Sequence, residues 1–385
     1  MFIDFTDEQK QLRADIRALI AELMTPALRQ EISHSDGGGP EYLAAMKRLG
    51  DQDWLGIGWP VEAGGQGRGP VDEFIFFDEM HRSGFPIPLL TLCTVGPTLA
   101  AHGTEEQKAR FLPAILRGEH HFSIGYTEPS AGTDLAGLAT RAERDGDDYV
   151  ITGQKVFISL ADFADTLWLA CRTDPDAPKH KGISILMVPM DAEGVSTSPI
   201  QNLGDSNLHA VYLDRVRVPV ANRVGPENGG WRMITSQLNH ERIALMMVGP
   251  LARLLDEVRA HARETGRSEA AWVRRNLAEV DAKLEVLKLM NWRQAWNLGR
   301  GHLSPHEASG LKVYGSELYV EAYRLLMEVV GPASVVTRGS RGAVLHGDLE
   351  RHYRATLVLT FGGGVNEIQR DIIAAAGLRM PRMKR

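Results

Sequence analysis

Between residues 121 and 225 the chain reads differently from everything on either side of it. The stretches 166–172, 182–188, 194–199 and 210–220 are short, rich in β-branched residues and separated by turn residues, the pattern of strands. Asp145-Gly146, between 138–143 and 149–152, marks a tight hairpin turn. The flanks have helical periodicity instead. Thr6 and Gln9 have capping-box spacing ahead of Leu12, Ile16, Leu19 and Ile20. Thr104 and Gln107 repeat that cap. Further on, a single helix is expected over 231–265 and others over 305–330 and 349–360. Leu277, Val280, Leu284 and Leu287 follow the rhythm of a bundle helix. A chain of 385 residues laid out this way is expected to be α+β. The expected parts are an N-terminal α-helical domain over 1–120, a central antiparallel β domain over 121–225, and a C-terminal α-helical bundle over 226–385.

Charge narrows the class of partner. The formal net charge is −6 and no basic run is present, which argues against nucleic acid or an anionic membrane as the main partner. An anionic cofactor is not excluded, because local donors and helix N-termini hold phosphates. The two cysteines, Cys93 and Cys171, are too few for a disulfide framework or a Cys-based zinc site and are expected in the core. His120-His121 lacks a second ligand pair at suitable spacing, so no metal is expected. Gly65-Gln-Gly67 lacks the third glycine of a dinucleotide fingerprint. No stretch is long and apolar enough to span a bilayer, and residues 1–11 carry no signal-peptide pattern. A cytoplasmic protein is the expectation.

Residues 124–137 read Ile-Gly-Tyr-Thr-Glu-Pro-Ser-Ala-Gly-Thr-Asp-Leu-Ala-Gly, and 153–159 read Gly-Gln-Lys-Val-Phe-Ile-Ser. Small residues and the hydroxyls of Thr127, Ser130 and Thr133 let a flat ligand approach the backbone and be hydrogen-bonded there. An ordinary polar loop between a helix and a sheet has the same composition. The two segments and their spacing closely resemble the flavin-binding region of the acyl-CoA dehydrogenase family, and the resemblance covers essentially the whole chain. It implies FAD, with Thr127 and Ser159 against the isoalloxazine ring. Thr133 would lie near the pyrophosphate and the CoA portion of the substrate. Phe157 would be the aromatic wall where the family usually has Trp. Tyr126, Ile158 and Asn366 would be further cofactor contacts.

The position of the base decides what chemistry is open to the chain. Glu241 falls on the apolar stripe of Ile234, Leu238, Leu245 and Val248 in the 231–265 helix. A carboxylate there is either paired, for example with Arg242, or desolvated and raised in pKa, as suits a general base. The second landmark of the resemblance is Phe361-Gly-Gly-Gly-Val-Asn-Glu-Ile-Gln-Arg370, in which Asn366 and Gln369 are read as the cap of the last helix. Most family members carry their catalytic Glu five residues before this Ile, and that position here is Gly363. A minority, the isovaleryl- and long-chain-type enzymes, place it before an Arg on the earlier helix. Leu-Asn-His-Glu-Arg at 238–242 matches them. The resemblance therefore implies Glu241 as base, the Gly363 N–H as donor to the thioester carbonyl, and Asn239 and Arg242 as substrate contacts.

Two family elements are altered. An Arg-x-x-Phe-Gly element that reaches the neighbouring subunit's FAD appears as Arg263-Glu-Thr-Gly266. A Gln-x-x-Gly-Gly element that holds the FAD diphosphate appears as Glu328-Val-Val-Gly331-Pro332. The implied reaction is α,β-dehydrogenation of an acyl-CoA thioester to the trans-2-enoyl-CoA, with an electron-transfer flavoprotein as acceptor. The chain looks most like bacterial steroid side-chain acyl-CoA dehydrogenase subunits. The implied assembly is an α2β2 heterotetramer with a second dehydrogenase-like subunit, or else a homotetramer. Two alternatives stay open: a non-catalytic scaffolding subunit of a heteromeric dehydrogenase, and a flavin monooxygenase or oxidase on the same fold.

Overall fold

The computed structural model describes residues 4–33, 37–244, 246–302 and 304–381; the side chains of 238–244 lie outside the description. The N-terminal part is helical: α1 (Asp7–Leu23), α2 (Pro26–Ile32), α3 (Pro40–Asp51), α4 (Pro70–Ser83), α5 (Gly96–His102) and α6 (Glu105–Leu116). Both expected capping boxes form, at Thr6 with Gln9 and at Thr104 with Gln107. Proline opens α2, α3 and α4, at the position where its missing N–H costs nothing. A π-helical turn, Leu90–Val95, precedes α5. Trp59 pins the loop after α3 to this turn, its Nε1 donating to the Leu92 carbonyl at 2.8 Å. Gly96 makes room for the indole, since a Cβ there would fall 2.0 Å from the ring.

The sheet is built from β1 (Phe122–Gly125), β2 (Arg141–Asp145), β3 (Asp148–Ser159), β4 (Thr166–Arg172), β5 (Ile183–Pro189), β6 (Val195–Ile200), β7 (Leu208–Pro219) and β8 (Arg223–Val224). Its order is β6-β7-β3-β2-β4-β5-β8, with β1 paired to β4. Asp145 pairs with Asp148 across the expected hairpin turn. The expectation of a wholly antiparallel sheet is corrected: β1 runs parallel to β4, and β2 meets β4 in one parallel pair. Parallel neighbours need a crossover, and the β2–β3 hairpin is the crossover here. Cys171 is fully buried in this sheet, whereas Cys93 is only half-buried.

The C-terminal part comprises α7 (Gly230–Ala244), α8 (Gly249–Glu264), α9 (Ala271–Gly299), α10 (Pro305–Val330), α11 (Asp348–Thr356) and α12 (Asn366–Ile372). Leu277, Val280, Leu284 and Leu287 are all buried in its core, as their rhythm implies. The expected single helix over 231–265 is corrected to α7 and α8 with a break between them. Pro250 in the first turn of α8 has no N–H to continue the ladder. The N–H groups of Val248 and Gly249 instead donate to Asp78 Oδ1 on α4, each at 2.7 Å. The 349–360 helix likewise divides, into α11 and a 3-10 turn, Leu357–Thr360. Among the described residues no helix is long and apolar enough to cross a membrane.

Candidate active site

The two halves of the 124–159 motif are joined by a buried ion pair. Lys155 Nζ donates to Glu128 Oε1 at 2.7 Å and to the Tyr126 carbonyl at 3.1 Å. Glu128 also accepts from the N–H groups of Ala139 (2.6 Å) and Thr140 (2.9 Å). The side chains are 0% and 5% exposed. Burial pushes the Lys155 pKa down, partly offset by Glu128. Burial pushes Glu128 up, but the Lys155 charge and the hydrogen bonds outweigh it and hold the carboxyl below its ordinary value. Neither residue was expected at the site, because a Lys in a strand and a Glu in a loop ordinarily read as solvated. Lys155→Met leaves the carboxylate buried without its cation, and the expected cost is about 3–5 kcal/mol. Urea unfolding followed through sheet signals should show an earlier midpoint; an unchanged one would mean the backbone donors suffice.

Around this pair the motif presents an open face. Thr127 is half-buried and its carbonyl accepts from Val156 N–H at 2.9 Å. A Cβ on Gly132 would meet only the Thr127 methyl, at 3.8 Å. Thr133 is exposed and Ser159 half-buried. The register of β3 against β7 slips between Lys155 and Ile158, and Phe157 in the slip has φ 59° and is 61% exposed. An aromatic residue in the left-handed region carries strain that its surroundings must hold in place. Such a bulge re-aims a side chain, here outward. An exposed ring with half-buried hydroxyl residues beside it, Ser159 two residues on and Thr127 bonded through its carbonyl to Val156, suits a flat, hydrogen-bonding ligand, and this donor set fits a flavin ring.

Three expected cofactor contacts, Tyr126, Ile158 and Asn366, have side chains engaged within the protein. Tyr126 is 7% exposed; its hydroxyl donates to Gln237 Oε1 of α7 and accepts from Trp168 Nε1 at 3.2 Å. That hydroxyl joins the motif to α7 instead of facing a ligand. Ile158, 2% exposed, packs in the sheet core, because residues alternate between the faces of a strand. Asn366 is 4% exposed. It accepts from Lys312 Nζ at 2.8 Å and donates to Ser316 Oγ at 3.0 Å. Its reading as a helix cap is corrected. Val365 is the N-cap residue, with no side-chain cap bond, and Gln369 accepts from the Ser309 hydroxyl at 2.9 Å. The pull of α10's buried polar groups outweighs a local cap.

Gly363 and Gly364 have φ of 65° and 96°, conformations that glycine adopts without a Cβ penalty. Lys312, 0% exposed, fixes this turn by donating to the Gly364 carbonyl at 2.7 Å. Glu241 lies in the last turn of α7, which packs against the Leu90–Val95 turn and α10. The side chains of Asn239, Glu241 and Arg242 lie outside the described residues.

The second altered family element is more remote. Glu328 on α10 accepts from Arg324 at 2.5 Å and from Asn276 Nδ2 at 3.1 Å, with its side chain 47% exposed. Gly331 lies against Arg267, whose guanidinium would meet a Cβ there at 2.8 Å. A carboxylate repels a diphosphate, so Glu328 is not a residue type that would hold that half of FAD. Of the adjacent histidines, His121 is buried and His120 Nε2 lies 3.0 Å from Thr166 Oγ1.

Three family descriptions match the chain in series. They are "Acyl-CoA dehydrogenase, N-terminal domain" over 6–119, "Acyl-CoA dehydrogenase, middle domain" over 123–216, and "Acyl-CoA dehydrogenase, C-terminal domain" over 228–378. The chain is 50% identical to the acyl-CoA dehydrogenase FadE26 of Mycobacterium tuberculosis over all of both proteins. It is similar to a chain of the ChsE4-ChsE5 complex from Mycobacterium tuberculosis, with TM-score 0.94, 50% identity and full coverage of both. A third similarity is to the Tcur3481-Tcur3483 steroid acyl-CoA dehydrogenase, with TM-score 0.95, 49% identity and full coverage of both.

Proposed function

Because the chain belongs to the acyl-CoA dehydrogenase family, we propose that it removes the α-proton of an acyl-CoA thioester with Glu241 and yields the trans-2-enoyl-CoA, using FAD. The observation that carries this reading is the Tyr126–Gln237 hydrogen bond. It ties the ring-binding type of segment to α7 one turn before Glu241, on the same helical face. The base and the cofactor surface are thereby held in one unit. FAD, when bound, supplies the two-electron acceptor for the β-hydrogen. Gly363 leaves open the place where the commoner base would stand, and its N–H would stabilise charge developing on the thioester oxygen, an effect worth about 3 kcal/mol. Asn239 and Arg242 flank the base as substrate contacts, with Thr127, Thr133, Phe157 and Ser159 toward the cofactor.

The acyl group we propose is a steroid side chain, by likeness to a relative described as a steroid dehydrogenase. The proposed electron acceptor is an electron-transfer flavoprotein. A second dehydrogenase-like subunit is proposed because a similar chain forms a complex of two different subunits and because Glu328 does not suit a diphosphate. Protein co-purified with that subunit should be yellow and release FAD on denaturation. It should oxidise acyl-CoA with a dye acceptor. A colourless preparation that turns over without added FAD would overturn the reading, and oxygen consumption without dye reduction would favour an oxidase.

A further inference from the structure

Three residues after Glu241 the helix stops, and the backbone beyond is held by side chains from three other helices. Asn291 of α9 donates from Nδ2 to the Met246 carbonyl at 2.9 Å. Tyr319 of α10 donates its hydroxyl to the Met247 carbonyl. Asp78 of α4 accepts the N–H groups of Val248 and Gly249 on one oxygen, each at 2.7 Å. Asn291 and Tyr319 are 1% and 5% exposed, and burial pushes the Asp78 carboxyl up to about 6. The fit around the break is close. A Cβ on Gly249 would lie 2.3 Å from the Asp78 carbonyl, and one on Gly315 of α10 would lie 2.8 Å from Met246.

A helix can end cheaply on one left-handed glycine. This one ends on three polar side chains, two of them buried away from water. Buried polar contacts from several elements restrict what they hold. They are the means by which a functional group is kept within a fraction of an ångström of its working position. The backbone held here is the continuation of the turn that carries Glu241. We infer that Asp78, Asn291 and Tyr319 are positioning residues for the general base, fixing the end of α7 and through it the carboxylate. The inference rests on the reading of Glu241 as base.

The test uses the flavoprotein assembled with its partner subunit. Tyr319→Phe removes one hydroxyl and keeps the ring. The expected result is a fall of about 10- to 100-fold in the limiting rate of flavin reduction by acyl-CoA, the scale of effect produced by small misplacements. The dissociation constant for acyl-CoA should change less than about twofold, because only the chemical step depends on the base. Hydrogen exchange of the 243–252 amides should quicken in the same variant, a readout independent of turnover. Tyr323→Phe is the control: it lies one turn along α10, is fully buried, and its hydroxyl has no partner among the described residues. It should leave rate and exchange unchanged. Asp78→Asn keeps an acceptor and should stay near the wild-type rate, while Asp78→Ala should slow like Tyr319→Phe. If Tyr319→Phe reduces flavin at the wild-type rate while Glu241→Gln is inactive, the positioning role is overturned and the base stands. If Glu241→Gln is itself active, the reading of the base fails instead.

Discussion

Replacing Glu241 by Gln is expected to leave flavin binding intact and to slow single-turnover flavin bleaching by acyl-CoA about a thousandfold or more. A positioned base contributes roughly 10²–10⁴ to a proton transfer, and an amide of the same shape cannot take the proton. Gly363, proposed to stand at the commoner base's position, offers no side chain as a substitute. The loss should fall on the chemical step, with little change in acyl-CoA affinity. Two described carboxyls are raised by burial, and Asp78 is already engaged by the Val248 and Gly249 N–H groups, which leaves Glu73 to compete. Glu73 of α4 is pushed up to about 7 by burial and sits hard against Gly58, where a Cβ would lie 2.4 Å from its carboxyl carbon. Glu73→Gln should retain the wild-type rate of flavin reduction. Bleaching at wild-type speed in Glu241→Gln, with loss in Glu73→Gln, would move the base to α4.

Helices capped by their own sequence and strands bounded by turns were legible from residue types alone. Thr6-x-x-Gln9, Asp145-Gly146 and the 277–287 rhythm each act within a dozen residues, so the information is local. What stayed hidden depends on distant partners. The break between α7 and α8 takes its hydrogen bonds from Asp78, some 170 residues away in the chain. Nothing in the 231–265 periodicity carries that. Lys155 and Glu128 look like two surface charges until the sheet closes them on each other. Asn366 and Gln369 have the chemistry of a cap but are claimed by Lys312 and Ser309 of α10. Of the candidate site, the hydroxyl and aromatic residues could be proposed from sequence because two short motifs, 124–137 and 153–159, carry them. Which of them point outward was not, because the β3 bulge at Phe157 shifts the alternation of the strand.

The largest effect on cofactor content should come from the second subunit. Expressed alone, the chain is expected to retain FAD weakly; assembled with a partner that supplies the missing Arg and Gln, it should hold one FAD per pair of unlike subunits, in an α2β2 particle. The physical reason is the asymmetry between its two half-sites. On the proposed reading, the ring-binding half around Thr127, Phe157 and Ser159 has a suitable surface, whereas the diphosphate half would present Glu328. Arg324 offsets that charge only in part, since an exposed pair is worth about 0–1 kcal/mol, and pairing also engages the nearest cation. A homodimer would join each sound half to a repelling one, twice. The helix α9 carries the expected mark of an interface: Val286, Leu289 and Trp296 are 45%, 46% and 57% exposed at spacings that share a face. Exposed apolar groups in such a row point to association. Glu328→Gln should therefore raise FAD retention by the chain alone, without raising its turnover to that of the heteromer. Native mass with flavin stoichiometry decides the matter. A homotetramer of this chain with one tight FAD per subunit and full turnover would show that Glu328 faces no diphosphate and that the chain needs no second kind of subunit.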